Sequence, residues 1–245
     1  MIEALKSDEI VRKVQPENDE TRRIDDVEEF LNSTLIHRVL RPEGAHAGRH
    51  PALILLHGRG ADEEDLIDLA RQYDPRFLVV SARAPMAYPS GGFTWYDVGT
   101  AGSPEPVTFR ASCEKLWQFV DDVIAGYPVD PAQVFLIGFS MGTVMSYALS
   151  LSRPSLFRGV VAQSGYVPEG THLEFRWGET GHMAYFISHG TDDDVIPVAF
   201  ARRAKELFHG SPAAITYREY PGGHSIAEEC LRDSAAFLHR MLARQ

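Results

Sequence analysis

The sequence predicts an α/β fold in which a mostly parallel sheet of about seven strands carries helices on both faces. Three observations support that reading. Short apolar runs of strand length recur seven times, and segments of helical period alternate with them. The 245 residues are 44% hydrophobic and 24% charged, the balance of an ordinary globular domain. A chain of this length buries roughly 70–75% of the surface its unfolded form exposes, so one core suffices without disulfide or metal support.

Taken in order, the strands fall at Leu35–Leu40, Ala52–Leu56, Phe77–Val80, Val134–Ile137, Gly159–Ala162, Ala184–Ile187 and Ile215–Tyr220. Most are β-branched or aromatic enough to be buried. Between them, Asp62–Gln72 has helical period, and Phe109–Ile124 places Leu116, Phe119, Val120 and Val123 on one face. Met141–Ser152 and Val198–Phe208 supply two more helices, and Ala227, Leu231, Ala235, Leu238 and Leu242 form the stripe of a last one. A helix between successive strands returns the chain to the same end of the sheet, which favours parallel pairing. Tyr88–Gly92 and Gly99–Pro106 are rich in Gly, Pro and Ser and read as loops that frame a site.

Lys and Arg number 24 against 34 Asp and Glu, a formal net charge of −10. That sign opposes binding to nucleic acid phosphates and stable association with anionic membranes, so neither partner is expected. Residues 1–33 hold ten acids and five bases and read as an acidic N-terminal extension or arm, with 34–245 as a single domain. Disorder is the simplest expectation for the arm, while Val27, Phe30 and Leu31 suggest one amphipathic turn that would order it as a lid or a homodimer contact. No apolar run reaches the roughly 7–15 residues of a signal-peptide core or the ~18 of a membrane span, so a cytoplasmic protein is expected. Cys113 and Cys230 lie far apart without C-x-x-C spacing and are expected to be reduced and buried, with neither a zinc site nor a redox pair.

The chemistry starts at Gly138-Phe139-Ser140-Met141-Gly142, a G-x-S-x-G string. It follows the strand Val134–Ile137 and opens the helix at Met141, the strand-to-helix turn where a nucleophilic serine is presented. Such a turn is strained and brings backbones close, so positions 138 and 142 need residues without a Cβ. A serine hydroxyl is a poor nucleophile near neutral pH and needs a base, itself oriented by a carboxylate, in the chain order Ser, acid, His. The loop His189-Gly190-Thr191-Asp192-Asp193-Asp194 offers three acids after one strand. Pro221-Gly222-Gly223-His224 offers a histidine after the next. Spacing alone leaves Asp192, Asp193 and Asp194 open, and an ion-binding or helix-capping cluster ahead of Pro197 is the competing reading.

These features, with His57-Gly58-Arg59-Gly60, Arg83-Ala84-Pro85, Trp95-Tyr96-Asp97, Gln163-Ser164-Gly165 and Gly223-His224-Ser225, resemble the phospholipase/carboxylesterase family of α/β-hydrolases across residues 52–225. The family includes acyl-protein thioesterases and small bacterial carboxylesterases. The resemblance implies that Ser140, Asp193 and His224 are catalytic, Asp193 by the spacing of an H-G-x-x-D-x-x-V-P string with Ile196 at the Val position. It further implies an oxyanion hole from the backbone N–H groups of Arg59 and Met141, while His57 is expected to be a structural partner within its loop. Trp95 and Tyr96 are expected either to wall an apolar substrate pocket or to lie in the core. The expected activity is hydrolysis of small-molecule carboxylic esters with short to medium acyl chains, without metal or organic cofactor. The alternatives are a long-chain thioesterase or lysophospholipase, and a non-catalytic ligand-binding domain.

Overall fold

The computed structural model describes residues 32–43, 48–100 and 102–243. The turn suggested by Val27, Phe30 and Leu31 lies outside the described residues. Seven strands form one sheet: β1 (His37–Leu40), β2 (His50–Leu56), β3 (Leu78–Ala82), β4 (Val129–Phe139), β5 (Gly159–Gln163), β6 (Ala184–Gly190) and β7 (Ala214–Tyr220). Their order is β1-β3-β2-β4-β5-β6-β7. Only β1 runs antiparallel to its neighbour within this sheet, so its reversed direction makes one edge.

Alternation within the strands sorts the core into two layers. Ala52, Ile54 and Leu56 of β2, with Leu78 and Val80 of β3, face one side; Leu53, Leu55 and Val79 face the other. The first side is covered by α2 (Pro106–Gly126), α3 (Met141–Ser152) and α4 (Ala199–Leu207). The second is covered by α1 (Ile67–Ala70) and α5 (Glu228–Ala243), which buries Cys230, Leu231, Phe237, Leu238, Met241 and Leu242. Of these, α3 is buried along almost its whole length, because it packs behind the centre of the sheet.

Several elements differ from the sequence expectation for identifiable reasons. The helix expected over Asp62–Gln72 shrinks to the single turn Ile67–Ala70. Asp62 Oδ1 accepts the Glu64 N–H at 2.9 Å, a local side-chain bond that competes with helix formation, and the Glu63 carboxylate is drawn away to Arg83. β4 begins at Val129 rather than Val134, and polar Asp130 and Gln133 hid its first residues from an apolar pattern. β6 continues to Gly190, since Ser188 and His189 are polar yet buried. α2 extends to Pro106 because the Glu105 carboxylate caps it, accepting the Val107 and Thr108 N–H groups at 3.0 and 2.8 Å. Short antiparallel ladders accompany the two Gly-rich loops: Met86–Ala87 with Phe93–Thr94 flanks the first, and Val98–Thr100 with Ser103–Pro104 overlaps the second.

Cys113 and Cys230 are both free and buried. Among the described residues, no helix is long and apolar enough to cross a membrane.

Leu116 of α2 has no exposed surface and packs in the first layer. Its replacement by Ala is expected to lower unfolding stability by about 2–5 kcal/mol in urea denaturation, with an unchanged slope.

Candidate active site

The loops after β2, β4, β6 and β7 leave the sheet at the carboxyl ends of parallel strands, the edge where open α/β sheets gather their functional groups. Ser140 stands between the last residue of β4 and the first of α3, at φ 55° and ψ −117°. A Cβ on Gly142 would run into the Leu56 carbonyl, and one on Gly138 would meet the backbone of Gly142 and Thr143, so the turn exists only with glycine at both places. The Ser140 N–H donates to Gln163 O at 2.9 Å, tying the turn to β5. The Thr143 hydroxyl accepts the Gln163 N–H at 2.9 Å and lies within reach of the Gly138 and Gln163 carbonyls.

The structure brings Ser140, His224 and Asp193 into one line. Ser140 Oγ lies 2.8 Å from His224 Nε2, and His224 Nδ1 lies 2.7 Å from Asp193 Oδ2. Asp193 Oδ1 accepts the Val195 and Ile196 N–H groups at 3.0 and 2.8 Å, so its loop folds around the carboxylate. The Asp193 side chain has no exposed surface, whereas Asp192 and Asp194 are exposed. Asp192 instead ties the two loops together: its N–H donates to Gly222 O at 2.9 Å and its Oδ2 accepts the Gly222 N–H at 3.2 Å. The Phe139 ring lies 5.0 Å from the His224 ring, a support hidden in the variable position of the serine motif.

Gly58 packs against the Phe139 ring and the Ser140 side chain, which sets the His57–Gly60 loop beside the serine. Met141 is the first residue of α3, where an N–H has no acceptor within the helix. The Arg59 side chain is exposed, with its guanidinium 5.4 Å from the Tyr88 ring centre. His57 is buried: Ala84 N–H donates to its Nε2 at 3.0 Å, so Nδ1 carries the proton and donates to Gly58 O at 2.6 Å. Burial lowers its pKa to about 4 against the opposing bond to Gly58, so the ring is a neutral brace. The same loop is anchored by Glu63, whose carboxylate takes both Arg83 Nε and Nη2, with Arg83 lying over the Phe93 ring at 4.6 Å. Burial raises the Glu63 pKa, but the Arg83 bonds outweigh it and the net shift is downward.

Trp95 has no exposed surface and donates from Nε1 to His57 O at 2.9 Å. It braces the loop from within the core, the second of the two expectations for this residue. Tyr96 is also buried, its hydroxyl 3.2 Å from that of Tyr166, and Tyr166 packs on Phe200 at 5.4 Å. Tyr166 and Phe139 gave no signal of their own, since they act through Tyr96 and His224, distant in sequence, whereas His189 and Arg83 stood in the sequence motifs without a role assigned to them.

A parallel sheet with a serine on a strand-to-helix elbow and an Asp–His pair on later loops is the architecture of an α/β-hydrolase. The chain belongs to the phospholipase/carboxylesterase family, whose model matches residues 38–242. A Bacillus cereus carboxylesterase structure superposes with a TM-score of 0.77 over 86% of this chain and 96% of that one, at 22% identity. An acyl-protein thioesterase 1 from Candida albicans is 26% identical over 214 residues, 79% of this chain and 93% of that protein. A probable carboxylesterase SOBER1-like protein of Arabidopsis thaliana is 26% identical over 156 residues, 61% of this chain but only 59% of the relative's length.

His57 is neutral in the fold but titrates near 6.5 when unfolded, so its contribution to stability is full above about pH 6.5 and declines as pH falls toward 4. In an NMR titration its ring signals are expected to stay constant from about pH 8 to pH 5.5. A midpoint near 6.5 would contradict the buried brace.

Proposed function

We propose that the protein is a serine carboxylesterase that acts on small-molecule esters of short to medium acyl chains in the cytoplasm. The observation that carries the reading is the unbroken line from Ser140 Oγ through the His224 imidazole to Asp193 Oδ2, at 2.8 and 2.7 Å. Ser140 Oγ attacks the ester carbonyl carbon while His224 Nε2 takes its proton. Negative charge then moves to the former carbonyl oxygen, between the N–H groups of Arg59 and Met141, where fixed donors stabilise it by several kcal/mol. Asp193 holds the imidazole with Nδ1–H toward itself and stabilises the imidazolium. His224 returns the proton to the departing alkoxide, the alcohol leaves, and a water deprotonated by the same nitrogen releases the acid from the acyl-serine.

The preference for shorter acyl chains is supported by the absence of bulky apolar residues in Pro89–Gly92. The similarity to a protein named as an acyl-protein thioesterase favours long-chain substrates as the second reading.

One p-nitrophenyl ester series, acetate to palmitate, tests both. Rates are expected to peak at short to medium chains, and a peak at palmitate would favour the second reading. Ser140→Ala is expected to reduce turnover by about 10⁴–10⁶-fold while circular dichroism stays unchanged. Activity retained in that folded variant would refute the mechanism.

A further inference from the structure

Asp193 Oδ2 meets two imidazoles. Besides His224 Nδ1 at 2.7 Å, His189 Nε2 lies 3.2 Å away, on a side chain with no exposed surface. The same Nε2 lies 2.6 Å from the Ile196 carbonyl. A carbonyl only accepts, so Nε2 must carry a proton, which it gives to Ile196 O while the same nitrogen stays 3.2 Å from the carboxylate. Nδ1 is buried and has no hydrogen-bond partner among the described residues. A proton there would leave a buried donor unpaired, at a cost of about 1–3 kcal/mol before any charge is counted. Burial, acting first, lowers the His189 pKa against the opposing bonds to Ile196 and Asp193. Other titratable groups face it as well: His224 from the neighbouring loop, Glu219 at the paired position of β7 and already bound to Arg202, and the Cys230 thiol of α5 across a small shared pocket.

His189 sits on β6, paired with Glu219 of β7 and one residue beyond Ser188, the last residue of β6 that pairs with β5, whereas Asp193 and Ile196 lie on the loop beyond it. Its imidazole is the side-chain link from the rigid sheet to that loop's carboxylate. We propose that His189 is a positioning residue of the hydrolase, using one Nε2–H to clamp the Asp193 carboxylate and the Ile196 carbonyl so that Oδ2 faces His224. This rests on the Ser140–His224–Asp193 reading. A cationic His189 would set two positive rings around one carboxylate and weaken its stabilisation of the His224 imidazolium, so the neutral Nε2–H form is the one that serves. With Oδ1 bound by two backbone N–H groups and Oδ2 by two rings, rotation of the carboxylate would break four contacts together.

The test compares His189→Gln, whose amide can place a donor near Nε2, with His189→Leu, which cannot donate. On p-nitrophenyl butyrate, His189→Leu is expected to lose roughly 10–100-fold in kcat with KM within about twofold, and His189→Gln to recover most of that loss. The far-downfield proton signal of His224 Nδ1–H should persist in His189→Gln and weaken or vanish in His189→Leu. Equal kcat for His189→Leu and the unsubstituted protein, or equal loss in both folded variants, would overturn the proposal. Should His189→Leu not fold, ¹⁵N spectra of the unsubstituted protein decide. A neutral Nε2–H tautomer at pH 7 supports the clamp, and an Nδ1–H tautomer or a charged ring overturns it. Fluorophosphonate labelling of Ser140 separates the two failures: with labelling intact, a negative result bears on His189 alone, whereas no labelling at all would bear on the Ser140 reading.

Discussion

Backbone contact at the centre of the sheet sets the geometry on which the rest depends. The start of α3 passes so close to the end of β2 that Gly142 lies against the Leu56 carbonyl, and the turn folds back so tightly that Gly138 lies against Gly142. Ser140 is left at φ 55°, a conformation that costs on the order of 1–3 kcal/mol and persists only where surroundings over-determine it. They do so here through the Ser140 N–H bond to β5, the Thr143 hydroxyl, and the buried packing of α3. The hydroxyl therefore stands clear of the strand, where a ring from a distant loop can reach it.

The loops around that serine are held by polar side chains buried for this purpose. His57 ties the His57–Gly60 loop to Ala84, Trp95 donates to the same loop from the core, and the Glu63–Arg83 pair holds the chain that follows it. Asp192 joins the acid loop to the histidine loop by two bonds to Gly222, while Asp193 organises its own loop from inside. Neighbouring aspartates thus do different work because one is buried and the other exposed. Buried polar groups in low dielectric are costly unless satisfied, so each satisfied group also fixes a loop conformation.

Much of this was legible in the sequence because it is local. The apolar runs found the sheet strands, helical spacing found α2, α3, α4 and α5, and G-x-S-x-G between strand and helix marked the elbow, since each depends on a periodicity or a turn of a few residues. Where polar residues took part in buried structure, the pattern failed. It stopped β4 and β6 short, and it extended a helix through Asp62–Asp65, where side-chain bonds unwind it.

The sequence by itself determined the strand and helix alternation, the elbow, and the order of serine, acid loop and histidine. Residue spacing left three aspartates open and only the family resemblance pointed to Asp193; the tertiary structure sets that carboxylate against His224, buries Trp95 beneath the loop, and brings His189 to the same carboxylate. The physical reason is range. Periodicity and turn chemistry act within a few residues, whereas a hydrogen bond between residues 140 and 224 exists only after seven strands have fixed where their loops emerge.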